Sequence, residues 1–188
     1  MQNPFITIWT QPKQTLENFI EKKDRKIYGV PFFIIGSSLA LDSGLEVLRS
    51  IASNPTIGAK ILIYLFLTLV YTGILYIFLG KLHPWLIKMT GNIWNGRATR
   101  NQIANVNALS CIPYGLILIY QIVLLMIGLE PSKDLVNPLF SYLIWIVSFR
   151  ILIIGISIAQ KFGYGLALLN IFISILPLII LQLWLLNQ

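Results

Sequence analysis

Apolar positions along this chain come in long uninterrupted runs, and polar positions collect between them. Five runs stand out, at about 27–48, 60–82, 103–129, 138–159 and 164–186. A helix needs about 20 mostly apolar residues to cross a hydrocarbon core of about 30 Å, so each run is long enough for a transmembrane helix. No period-two alternation of apolar and polar residues accompanies them, which excludes a membrane barrel. The expected fold class is all-α: an integral membrane bundle of five transmembrane helices over 27–188. The preceding segment, 1–26, adds an N-terminal amphipathic helix. In that segment Pro12 suits a first helical turn, and Leu16, Phe19 and Ile20 share one face, with Lys13, Glu17, Glu21 and Lys22 elsewhere. Such a helix either lies in the membrane interface or packs on loops of the same chain.

The longest polar interval, 88–114, separates two spans from three. It holds Arg97, Arg100, five asparagines and the only cysteine, Cys111. Asparagine and glycine here suit helix caps and turns, or the mouth of a polar cavity. Pro113 is expected to kink the third span. Within the first span Gly36, Ala40 and Gly44 step by four, a small-residue ladder that lets another helix approach closely. Gln121 and Asn170 suit hydrogen bonds between helices, Cys111 a small buried apolar residue, and His83 a span boundary.

Composition agrees with the runs. Mean hydropathy is +0.77, and charged residues make up 11% of the chain, against roughly 25% in soluble domains. The net charge of +7 is read as topology signal beside anionic lipid, without nucleic acid as a partner. Ten lysines and arginines fall in the N-terminal segment, in the central interval with Lys81 just before it, and in the connection holding Lys161; Arg49, Lys60 and Lys133 fall on the opposite side of a five-span layout. Positive residues stay cytoplasmic, so the expected protein is a multi-pass protein of the cytoplasmic (inner) membrane, its N-terminus cytoplasmic and its C-terminus outside. No short apolar stretch with a cleavage site precedes the first run, so that span is expected to be a retained anchor.

Two charges fall inside runs. Arg150 lies about 18 Å along a helix from Pro138, near the midplane, and Asp42 lies roughly 9 Å below one end of the first span. A charge at that depth needs a partner or a cavity. The two are candidates for an interhelical ion pair; the other reading makes Arg150 a fork for phosphate or carboxylate. Arg97 and Arg100 are candidates for cytoplasmic contacts with lipid phosphates or a partner. No phosphate loop, metal cluster or nucleophile with a base is written in the sequence, so neither enzyme activity nor a cofactor is expected.

Several of these pieces together resemble the Yip domain family of five-span membrane proteins, named for interaction with Rab-type GTPases. Trp9 and Pro12, following Asn3-Pro4-Phe5, resemble the opening Trp-x-x-Pro motif of its short prokaryotic members. Gly96, Arg97 and Ala98, then Gln102 and Ser110-x-x-Pro113, resemble its cytoplasmic turn into the third helix. The resemblance implies a fold and a membrane location and says little of activity. The long N-terminal extension associated with trafficking partners in eukaryotic members is absent, so Rab-type GTPase binding is not carried over. Expected partners are membrane lipids and other membrane proteins or a second copy of the chain. A non-enzymatic membrane-organising or trafficking-type role is the first functional expectation; a transporter or channel component for a small solute or lipid is the second.

Overall fold

The computed structural model describes residues 3–21, 29–51, 56–129 and 136–186, and among these every regular element is helical. Two short helices open the chain, α1 (Pro4–Thr10) and α2 (Pro12–Glu21). Seven α-helices follow: α3 (Gly29–Ile51), α4 (Ile57–Ile77), α5 (His83–Gly91), α6 (Arg100–Ser110), α7 (Tyr114–Met126), α8 (Val136–Gln160) and α9 (Tyr164–Leu186). Four helical stretches are long and apolar enough to cross a bilayer: Ile57–Trp94, Arg100–Met126, Val136–Gln160 and Tyr164–Trp184. The first expected span differs. Its helix is 23 residues long, and the apolar stretch described within it, Gly29–Gly44, is shorter than the other four and carries Asp42 near its end. The turn at Asn54-Pro55, the loop 130–134, the tail at 187–188 and the basic cluster at 22–26 lie outside the described residues.

Two prolines shape the helices of the second and third expected spans. Pro84 has no N–H to give. The helix shifts register before it through a π turn at Phe78–Leu82, and the His83 N–H reaches back to the Phe78 carbonyl. The helix then continues as α5 to Gly91, well past the expected end at 82. Pro113 does more than kink its helix. The chain leaves α6 at Ser110, turns through 111–113 and restarts as α7. α6 also begins at Arg100, under a capping box in which Thr99 accepts from the Gln102 N–H and Gln102 from the Thr99 N–H, which satisfies two orphan donors of the first turn.

These breaks divide the molecule into two layers. α5, α6, the first part of α9 and the last turns of α8 gather at one end with α1 and α2; α3, α4, α7 and the rest of α8 and α9 extend away from it. The main core lies in the first layer, where Ile8, Leu16, Ile20, Ile87, Ile103, Val106, Leu109, Ile156 and Ile171 are buried together. In the second layer large apolar residues such as Ile61, Leu62, Leu65, Phe66 and Leu69 are exposed, as a lipid-facing surface requires.

The N-terminal segment packs on the protein itself. Leu16 and Ile20 are buried while Lys13 and Glu17 face outward. Thr15 donates to Thr7 and joins α2 to α1, and Gln102 of α6 donates to the Ile20 carbonyl and fixes the far end. Gly155 of α8 marks the level: a methyl group there would strike Val106 of α6 and come within 3.2 Å of Leu16. From Gly155 back to the start of α8 is about 29 Å of helix, close to the thickness of a hydrocarbon core. The first layer therefore forms a cap at one end of the bundle, about that length of helix from the start of α8.

The small-residue ladder of α3 is used within the chain. A methyl group on Gly36 would collide with Thr72 of α4, and one on Gly44 with the Tyr64 ring. Ala40 between them is buried. α3 and α4 are thus in close backbone contact, and Ser38, on another face of α3, donates to Gln121 of α7 at 2.7 Å.

Candidate functional site

Asp42 and Arg150 do not meet. Asp42 accepts from Asn137 Nδ2 at 3.3 Å, and Asn137 lies 13 residues before Arg150, about 20 Å along α8. α3 runs away from the cap and α8 runs back toward it, so Asp42 faces the start of α8 while Arg150 lies well up toward the cap. The expected ion pair is replaced by two separate features.

The first is a cavity of about 730 Å³ at the end far from the cap, among α3, α4, α7 and α8. Asp42, Glu46, Tyr71, Asn137 and Trp145 are among its lining residues. Ser43 and the Tyr71 hydroxyl share a hydrogen bond at 2.9 Å on its wall. Both charged groups are acidic, and among the described residues no lysine or arginine lines it. Its volume lies in the range of small-molecule sites.

The second is a smaller groove of about 420 Å³ along α8 and the start of α9, lined by Ile146, Phe149, Arg150, Ile153, Ile154 and Tyr164. Arg150 is exposed into it, and among the described residues no carboxylate pairs with it.

A third feature joins the cap together. The Gln160 side chain, 1% exposed, is inserted between α5 and the central interval. Its Nε2 donates to the Ile87 carbonyl at 3.2 Å, and its Oε1 accepts the Ala98 N–H at 3.1 Å. The Gln160 carbonyl accepts the Arg97 N–H at 3.4 Å. This insertion is why Gly91 and Gly96 lack side chains: a methyl group on either would collide with the Gln160 amide. Asn95 between them turns the chain through a left-handed conformation, φ 60°, which asparagine tolerates better than most residues. On the other side of Gly91, the Thr90 hydroxyl donates to Asn170 Oδ1, so α5 holds α9 as Gln160 holds α8.

Arg97 and Arg100 flank the pinned Ala98 and both are exposed. The other motif residues occupy structural positions. Trp9 is partly exposed on α1, Pro12 starts α2, Gly96 receives Gln160, and the buried Pro113 ends the α6–α7 break. Asn105 and Asn107 depart from the picture of a wet polar interval, being 3% and 2% exposed inside α6. His83 is also interior. Asn107 Nδ2 donates to its Nδ1 at 3.1 Å and to the Leu79 carbonyl at 2.7 Å. Pro84 explains that second bond: in the π turn Leu79 would wait on the N–H of Pro84, which has none, and Asn107 supplies the donor instead. Cys111 is buried as expected. Sequence reasoning missed Gln160; its nearest signal is a glutamine at a helix end with two glycines in the one long polar interval.

Among the described residues no group of histidine, cysteine, aspartate and glutamate is assembled as a metal site. Searches against protein-family models, curated proteins and solved structures find no match to this chain.

Proposed function

We propose that this chain is a non-enzymatic membrane-organising protein of the cytoplasmic membrane, built as a five-helix bundle that presents a fixed basic face to lipid headgroups and partner membrane proteins. The observation that carries the reading is the pinned central interval. Arg97 and Arg100 stand on either side of an N–H held by a buried amide, so their backbone is ordered before any partner arrives, and preorganisation lowers the cost of binding. The positive-inside count puts this face in the cytoplasm, and the likeness to the Yip domain family agrees with it. α3 is taken as the fifth span, its charged end reaching water beside the acidic cavity. Rab-type GTPase binding is not part of the proposal.

The test is photo-crosslinking in native membranes from a probe at Asn101, comparing the unmodified chain with Arg97→Glu/Arg100→Glu. Defined cross-links that disappear in the charge-reversed protein, at equal abundance and melting temperature, are expected. Cross-links that persist unchanged contradict the reading.

One observation favours a second reading, a transporter or channel component. The acidic cavity is large enough for a small solute, and Asp42, Glu46 and Asn137 are among the polar groups that line it. The discriminator is access. In a Cys111→Ala background, Ser141→Cys on the cavity wall is labelled by an impermeant thiol reagent from one side of the membrane if the cavity is a closed-ended vestibule, and from both sides if it is part of a path.

A further inference from the structure

Arg150 presents a physical problem that the platform reading leaves open. A guanidinium exposed to hydrocarbon costs a few kcal/mol and usually finds a partner or a cavity. Among the described residues none of the acids pairs with it, and Asp42 is committed to Asn137 on the far side of the molecule. The groove it occupies is otherwise apolar, apart from the Tyr164 hydroxyl.

Depth and shape say what fits. Arg150 lies five residues from Gly155, about 7.5 Å of helix rise, and Gly155 is level with Leu16 of α2. The charged outer face of α2 puts water or headgroups at that height. An arginine stem can span such a distance and raise its charge to the interface. Tyr164, at the cap end of α9, lies on the same route. Toward the membrane interior the groove continues over Ile146 and Phe149, and Phe149 stacks on Trp145 with ring centroids 5.3 Å apart. One end of the groove is thus cationic and near the interface, and the other is greasy and deep.

We infer that this groove between α8 and α9 is a binding site for an anionic phospholipid, with Arg150 holding the headgroup phosphate, Tyr164 offering its hydroxyl beside it, and an acyl chain lying over Ile146, Phe149 and Ile153. The planar five-donor fork of arginine matches phosphate oxygens, and a bound lipid supplies the counter-charge that the protein withholds. The site is separate from Arg97 and Arg100 and requires only that α8 spans the membrane.

Trp145 makes the site measurable. Replacing Trp9, Trp85, Trp94 and Trp184 by Phe leaves it as the one indole of five. The protein is reconstituted with phospholipids brominated on the acyl chain, and quenching of Trp145 by dibrominated phosphatidylglycerol is compared with quenching by dibrominated phosphatidylcholine. The inference expects about a fivefold preference for the anionic lipid, kept in Arg150→Lys and reduced to about onefold in Arg150→Gln. The same comparison is made on the chain with all its tryptophans by native mass spectrometry of retained phosphatidylglycerol. Equal quenching by the two lipids, or a preference that survives Arg150→Gln, overturns the site. Loss of the preference on adding millimolar inorganic phosphate, at constant ionic strength, reassigns it to free phosphate and overturns the lipid assignment.

Discussion

At the scale of single residues, buried amides do the work that charges do elsewhere. Gln160 satisfies a carbonyl of α5 and an N–H of the central interval with one side chain. Gln160→Leu leaves the Ile87 carbonyl its bond from the Thr90 hydroxyl and strands the Ala98 N–H; an unsatisfied buried group costs about 1–3 kcal/mol, and a loss of about that size is expected in reversible unfolding in detergent. Gly91→Ala costs at least as much in the unmodified protein, because its methyl group and the Gln160 amide claim one space. It costs much less on a Gln160→Ala background, where that space is open; strictly additive losses would refute the packing. Asn107 follows the same logic. Asn107→Leu leaves the Leu79 carbonyl without a donor and is expected to cost about 1–3 kcal/mol. Part of this returns in a Pro84→Ala background, which restores an N–H to the helix. None of these pairings was legible in the sequence. Gln160 sits beside Lys161 at the end of an apolar run and resembles a loop residue, and its partners lie more than 60 positions away. His83 resembled a boundary residue because Asn107, which buries it, belonged to an interval that reads as wet.

Individual helices were more legible, because periodicity reports the face a helix buries. The Gly36, Ala40 and Gly44 ladder foretold a close helix contact, and α4 makes it. Gly36→Ile is expected to push α3 off α4, since the backbone of Thr72 stands 2.9 Å from where a Cβ would be. A cysteine pair across the α3–α4 contact that forms a disulfide in the unmodified background should cross-link poorly in this variant; undiminished cross-linking would mean that the ladder is not at the contact. The apolar stripe of α2 was legible too, but whether it met lipid or protein was not, since Leu16 and Ile20 suit either. The structure buries both against α6 and α8. Leu16→Ala is expected to cost about 2–5 kcal/mol as a core truncation, whereas a residue resting on lipid would cost far less. Breaks were harder to foresee than faces. Pro113 and Pro84 announced interruptions, but whether a proline kinks a helix, shifts it into a π turn or ends it depends on which neighbour supplies the missing hydrogen bond.

At the scale of the whole molecule, a cap rich in buried polar contacts sits on a layer of lipid-exposed helices, with basic side chains on the cap and an acidic cavity at the opposite end. The separation of Asp42 from Arg150 follows from this polarity, as does the placement of Arg150 just beneath the cap. The number of spans decides which way the two ends face. On the reading proposed above, α3 crosses, the chain spans five times, the cap faces the cytoplasm and the acidic cavity opens on the other side. The direct measurement is labelling of two single cysteines, Arg97→Cys and Ser141→Cys, in a Cys111→Ala background, by an impermeant thiol reagent applied to intact cells and to inverted membrane vesicles. The account predicts that Arg97→Cys reacts only in inverted vesicles and Ser141→Cys only in intact cells. Reaction of both from the same side, or of Ser141→Cys from both sides, would contradict it.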